Sequence, residues 1–291
     1  MQTAATASIE ALQRKSTEVR RAIMDEVEVA GSGHYGSSLS LVEMLVALYY
    51  GFLRVRPDEP KWAERDRLIL SKGHGVCALY PILADLGFLE EKHLKTFAQL
   101  GSILGDHPDV KKVPGVDFSS GSLGHGLSVG CGMAEAVRLQ GFDSRIIVVV
   151  GDGEMDEGQV WEAAGYAAHN RLGHLMAVMD RNNIQVDGST SDILDLEPLA
   201  DKWRSFRWEV REVDGHDLKA LLHEFDDFEK RRVASAGHTK PTMVIANTVG
   251  GKGIPFIEND ADWHIGYLHG ADRSSALEEI ERMYSFDRRK S

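Results

Sequence analysis

Two short polar segments of this chain carry the residue types and the separation of a site for a divalent cation and a diphosphate. Gly151-Asp152-Gly153 follows one run of β-branched residues, and Arg181-Asn182-Asn183-Ile184 follows the next apolar run. A carboxylate, an amide oxygen and a backbone carbonyl are hard oxygen donors that suit Mg2+ or Ca2+, with diphosphate oxygens completing the shell. Glycines on both sides of Asp152 let a bulky anion approach the backbone, and the start of a following helix would offer it free N–H groups. Taken alone, Gly-Asp-Gly is as readily a tight turn with a capping aspartate. Asn182, one strand-helix-strand length further on, favours the site. Histidines also crowd the loops, but a lone loop histidine is usually a solvated surface group, and His93, His169, His174, His223 and His238 are read that way.

The elements that would hold these residues follow from apolar spacing. Ile9, Leu12, Val19, Ile23 and Val27 recur at helical spacing and end in the turn Ala30-Gly31-Ser32-Gly33, so a helix delivers His34 to its C-terminal end. Ser40 opens a second helical pattern, with Glu43 three residues on as a capping box requires. Arg67 to Leu70 is a short strand, and Leu100 to Leu127 is a long irregular stretch of the kind that is usually functional. Arg145 to Val150 and His174 to Met179 read as buried parallel strands, joined by a helix through Val160, Trp161, Ala164 and Ala168. Trp208 to Val213, Leu218 to Lys230 and Pro241 to Ala246 continue the alternation as strand, helix and strand. The fold class expected is α/β, an open and mostly parallel sheet with helices on both faces, with residues 1–291 as one domain. The charged run Glu229 to Arg232 is read as a solvated helix end.

Neighbouring parallel strands joined by a right-handed crossover end at the same edge of the sheet, so the side chains of Asp152 and Asn182 can converge there. Composition narrows the partners. With 33 Lys plus Arg against 45 Asp plus Glu, the net charge of -12 argues against nucleic acid or an anionic membrane surface as partner. Cys77 and Cys131 stand in apolar or small surroundings without metal-ligand spacing, as reduced core thiols do. The segment Met1 to Ala11 lacks a basic stretch followed by an apolar run, and no stretch nears the roughly 18 apolar residues of a membrane span, so a soluble cytoplasmic protein is expected.

Gly-Asp-Gly followed at this spacing by Asn-Asn resembles the thiamine-diphosphate signature. The preceding motifs occur in the order shown by transketolases: Gly33-His34-Tyr35-Gly36, Asp66-Arg67 leading to Leu70-Ser71-Lys72-Gly73-His74-Gly75, Asp106-His107-Pro108-Asp109, and Ser120-Gly121-Ser122-Leu123-Gly124-His125-Gly126. The resemblance runs from about His34 to about His264. It implies thiamine diphosphate and Mg2+, with Ca2+ or Mn2+ as alternatives, the metal being held by Asp152, Asn182 and the main-chain oxygen of Ile184. It also implies that Gly151, Gly153 and Glu157 lie on the diphosphate side, Glu157 at a subunit interface, and that Gly121, Ser122 and Leu123 touch the aminopyrimidine ring. His34, His74 and His107 would line the catalytic pocket, with His264 closing over the substrate from beyond the Gly250-Gly251-Lys252-Gly253 loop. Histidine suits that task because its near-neutral pKa lets it exchange protons with sugar hydroxyls. Tyr35 stands where full-length enzymes usually have proline and Asp109 where they have glutamate, while Ser122 and His125 look more like the two-subunit transketolases.

In transketolases a second, pyrimidine-binding domain supplies the glutamate that activates the cofactor. The chain ends at Ser291, shortly after His264, which leaves no residues for that domain. The resemblance therefore implies the N-terminal subunit of a split transketolase, a transferase of carbohydrate metabolism acting on sugars or sugar phosphates. It would be active with a separate C-terminal subunit, in an α2β2 assembly. The alternatives are the α subunit of a 2-oxo acid dehydrogenase, against which the ordered histidines argue, and a cofactor-binding module without catalysis. A nicotinamide dehydrogenase ranks last, for want of Gly-x-Gly-x-x-Gly after the first buried strand.

Overall fold

The computed structural model describes residues 7–236 and 239–284. In chain order its elements are α1 (Ile9–Ala30), α2 (Tyr35–Ser40), α3 (Val42–Ala47), β1 (Arg67–Leu70), α4 (Leu79–Leu86), α5 (His125–Gln140), β2 (Ile146–Gly151), α6 (Gly158–His169) and β3 (Leu175–Arg181). There follow β4 (Ile184–Gln185), β5 (Gly188–Ser189), α7 (Thr190–Ile193), α8 (Leu199–Ser205), β6 (Glu209–Asp214), α9 (Leu218–Ala234), β7 (Thr242–Asn247) and α10 (Gly270–Met283). Five strands pair in parallel in the order β1-β2-β3-β7-β6, and β4 with β5 makes a separate antiparallel hairpin.

β2, Ile-Ile-Val-Val-Val-Gly, is buried along its whole length, as a central parallel strand covered on both faces must be. Successive side chains of a strand point to opposite faces, and the core divides accordingly. Ile147, Val149, Val178 and Val244 pack with Ile23 of α1, Leu45 of α3 and Phe225 of α9. Ile146, Val148, Ala177 and Ile245 pack with Ala134 of α5, Ala164 of α6 and Trp203 of α8. The sheet with helices on both faces is thus the architecture the spacing predicts. Its register sets Gly151 beside Asp180 and Arg181 beside Asn247, so the loops after β2, β3 and β7 leave from one edge.

Several local expectations are corrected. Ser40 does not cap a helix: it is the last residue of α2, and its hydroxyl donates to Ser37 O and to the Asp180 carboxylate. Glu43, its supposed capping partner, is wholly buried against Arg20. The irregular stretch ends in α5, whose glycines obscured its periodicity. Gly130 is required there, since a Cβ would stand 2.5 Å from Val148 Cγ2 on β2. Between β2 and α6 lies a tight turn, Gly153–Asp156, so Asp152 does not lead directly into the helix. Arg232 is not solvated: it is buried between Glu229 and Asp143. His174 is buried too, with Nδ1 3.0 Å from Ser144 O, whereas His169 and His223 are exposed and His93 half-buried. His238 and residues 1–6 of the N-terminal segment lie outside the described residues. Cys77 and Cys131 are buried free thiols, and among the described residues no helix is long and apolar enough to cross a membrane.

Glu26 on α1 is buried, and neither of its oxygens has a hydrogen-bond partner among the described residues. Burial, with Asp25 adding to it, pushes its pKa well above the ordinary carboxylate value. The folded protein therefore keeps this proton while the unfolded chain releases it near pH ~4.3. The stability linked to that proton is full below the unfolded value and is lost as pH rises. Glu26→Gln should accordingly raise the melting temperature at pH 7, at about 2–4 °C per kcal/mol for a domain of this size, with the gain fading towards pH 4. Thermal melts at the two pH values check this, and an unchanged or lower midpoint at pH 7 would contradict it.

Candidate active site

Asp152 leaves β2 at the edge of the sheet and is buried. Its Oδ1 accepts the Gly153 N–H at 3.0 Å and its Oδ2 the Asn183 N–H at 2.7 Å, which ties the loop after β2 to the loop after β3. Asn183 takes a left-handed φ of 61°, a conformation asparagine tolerates, and Ile184 then turns its N–H onto Asn182 Oδ1 at 3.0 Å. Burial, and next the charge of Asp180, raise the Asp152 pKa to about 6. Lys72 offsets this only in part, and the oxygens of Asp152, Asn182 and Ile184 are the donor type a hard divalent cation takes. Among the described residues no three His, Cys, Asp or Glu gather as a metal-binding group. A cation here would therefore need amide, carbonyl and ligand oxygens beside the one carboxylate. Gly153 leaves room where a side chain would crowd the loop: a Cβ on it would stand 3.0 Å from Gln185 Cγ.

Directly behind this loop lies a charge that sequence reasoning missed. The wholly buried Asp180 carboxylate accepts from Lys72 Nζ at 2.5 Å, from Ser40 Oγ at 2.6 Å, from Thr248 Oγ1 and, more weakly, from Asn182 Nδ2 at 3.4 Å. An ionised carboxylate only accepts, so the amino end of the Asn182 amide faces Asp180 and its oxygen faces the other way, where a cation would sit. Glu154, also missed, is buried and accepts from the Gly124 N–H, the Gly151 N–H and the Ser71 hydroxyl. It thereby joins the loops after β1 and β2 to the start of α5. An acid three residues beyond Gly151 was the available signal.

The histidines converge from four segments. His34 lies 5.2 Å from His74, 6.2 Å from His107 and 5.5 Å from His264 between ring centroids, and His74 lies 5.4 Å from His264. His34 precedes α2 on a turn where a Cβ at Gly33 would meet Val27 Cγ2 at 2.4 Å, and paired hydrogen bonds between Gly33 and Gly266 bring the His264 segment over it. Gly73 admits His107, whose ring a Cβ there would approach to 3.1 Å. Burial lowers the His34 pKa to about 4, with His264 and His107 adding to the effect. Burial, then Lys72, lowers His74 to about 2 and moves His264 the same way. These three imidazoles are neutral at neutral pH. His74 Nε2 lies 3.0 Å from Ser37 Oγ, and His107 Nδ1 lies 3.3 Å from the Asp106 carboxylate. Gly121 and Ser122 are exposed, Leu123 is half-buried, and a Cβ on Gly121 would meet open space. Glu157 is exposed, with its Cβ against Gly124.

Comparison with known proteins identifies the family. A family model described as transketolase, thiamine diphosphate binding domain, matches residues 12–290. The chain is 41% identical over 271 residues, 93% of its own length and 96% of the relative's, to the 6-deoxy-6-sulfo-D-fructose transketolase subunit SqwG of a Clostridium species. It is 38% identical over 277 residues, 95% of each chain, to an apulose-4-phosphate transketolase subunit of Phocaeicola vulgatus. Among solved structures, transketolase from Campylobacter jejuni aligns with a TM-score of 0.87 at 30% identity, over 94% of this chain and 43% of that one. The chain thus spans less than half the length of that enzyme.

Among the described residues, Lys72 is the one side chain with formal positive charge that hydrogen-bonds to Asp180. Removing one partner of a buried pair leaves an uncompensated charge, so Lys72→Met should lower the unfolding free energy by about 3–5 kcal/mol. Urea denaturation measures it. A loss under about 1 kcal/mol, the scale of an exposed pair, would mean that the neutral donors suffice for Asp180.

Proposed function

The chain belongs to the transketolase family, and on that footing we propose that it is the cofactor-binding subunit of a two-subunit transketolase. Residues 1–291 would form its single thiamine-diphosphate-binding domain, moving a two-carbon ketol unit from a ketose to an aldose together with a partner chain that carries the pyrimidine-binding domain. The observation that carries the reading is the gathering of His34, His74, His107 and His264 about one another, with Lys72, two residues before His74, paired to Asp180, which hydrogen-bonds Asn182 in the loop that also joins Asp152 and Ile184. Support for a separate partner comes from the relatives named as transketolase subunits, which match this chain over nearly their whole lengths. Their names, one a sulfo-sugar and one a sugar phosphate, favour an anionic sugar as substrate.

In this reading Asp152, Asn182 and the Ile184 carbonyl would hold Mg2+, and Gly151 and Gly153 would leave room for the diphosphate. Gly121, Ser122 and Leu123 would bind the aminopyrimidine, and the exposed Glu157 would meet the partner chain. Bound thiamine diphosphate supplies the carbon that receives the ketol fragment. The rings of His34, His74 and His264, held neutral by their lowered pKa values rather than poised near 7, would each offer sugar hydroxyls one donor and one acceptor nitrogen. His107, beside Asp106, belongs to the same group of rings.

Asp152→Ala is expected to abolish Mg2+-dependent binding of thiamine diphosphate in calorimetry, and undiminished affinity would overturn the metal assignment. His107→Ala should spare that binding but reduce turnover of the reconstituted complex by about 100-fold, the usual weight of a proton-transfer group. Assay of the complex with a ketose donor and aldose acceptor, against a 2-oxo acid with an electron acceptor, decides the reaction class. Activity only with the 2-oxo acid would sink the transketolase reading.

A further inference from the structure

We infer that Glu43 and His216 are positioning residues for the metal side of the site, acting through a backbone strap, residues 249–252, that they hold at both ends. The inference rests on the proposed metal site. Glu43 on α3 is wholly buried, and its two oxygens accept from four donors: Arg20 Nη1 at 2.5 Å, Arg20 Nη2 at 2.8 Å, Tyr284 Oη at 2.8 Å and His216 Nδ1 at 2.9 Å. Two of these partners reach onward to the strap. Arg20 Nε donates to Lys252 O at 3.0 Å, and His216 Nε2 accepts the Val249 N–H at 2.9 Å. Because Nε2 accepts, the His216 proton resides on Nδ1 and is given to Glu43. One carboxylate thereby fixes the beginning and the end of the strap.

The strap touches both halves of the site. Gly250 lies so close to Ile184 that a Cβ there would stand 2.7 Å from its Cδ1, and Gly251 donates to Gly36 O, two residues past His34, at 3.1 Å. Thr248, just before it, donates its N–H to Arg181 O and its hydroxyl to Asp180. Gly251 has a φ of 76°, and a side chain there would meet Ile257 O at 2.7 Å, so the strap is a close-fitted backbone turn. Its backbone backs Ile184, whose carbonyl is one of the proposed ligands. Releasing the Val249 end removes that backing without touching any ligand. Outer partners of metal ligands typically govern affinity by about 10–100-fold.

The test titrates Mg2+ into the full chain with thiamine diphosphate present, by calorimetry. His216→Ala should weaken Mg2+ affinity by roughly 10-fold or more, and His216→Gln, whose amide oxygen can accept from Val249, should recover most of it. Phe228→Leu, in the core further along α9, serves as a control for general loss of stability and should leave the affinity unchanged. Wild-type affinity in His216→Ala, or equal weakening in all three variants, would overturn the inference while leaving the metal site standing. Absence of Mg2+-dependent binding in the unaltered chain would instead overturn the metal site and the inference together.

Discussion

The site is organised around one carboxylate taken wholly out of water. Asp180, at the end of a strand that is covered on both faces, can stay charged only if it is paired and hydrogen-bonded, because desolvation of a lone carboxylate is prohibitive. Its partners come from four places: Lys72 after β1, Ser40 at the end of α2, Thr248 after β7, and Asn182 two residues along its own strand exit. Meeting that one requirement draws the end of a helix and the exits of three strands to a common point. Lys72 carries His74 two residues on, and Asn182 begins the loop that reaches Asp152.

The same arrangement separates two electrostatic environments. On one side, burial and the charge of Asp180 outweigh Lys72 and raise the Asp152 pKa, so a cation is welcome there. On the other, burial and the Lys72 ammonium keep His74 and His264 from gaining a proton, and burial with the neighbouring rings does the same to His34. In a low-dielectric setting such charges act strongly over a few ångströms. A single buried ion pair thus acts both on a cation-seeking oxygen set and on a cluster of neutral imidazoles.

Much of this was readable from residue order. The β-branched run of β2, the helical spacing of α1 and the alternation from β2 to β7 reflect burial, which acts on every residue of an element and leaves a periodic trace. The Gly-Asp-Gly and Asn-Asn segments and the histidine motifs were readable because their chemistry depends on residue type. Ser40 with Glu43 shows where such reading fails: the pattern of a capping box was present, yet both side chains serve long-range partners, Asp180 and Arg20. Arg232 and His174 were misread for the same reason, since each is buried against residues remote in the chain, Asp143 and Ser144. α5 went unread because the glycines that let it pack on β2 erase its apolar rhythm.

The sequence by itself determined the sheet, its layering, the edge where the loops emerge and the residues whose types could bind a cation or move a proton. These are consequences of local pattern and side-chain chemistry. Only the tertiary structure decided which polar groups meet: Lys72 with the Asp180 carboxylate across 108 positions, His216 with the Glu43 carboxylate across 173 and Arg20 with the main-chain oxygen of Lys252 across 232. Such pairings leave no local trace because each partner alone looks like an ordinary surface residue. Burial at the shared edge of the sheet is what forces them to find one another.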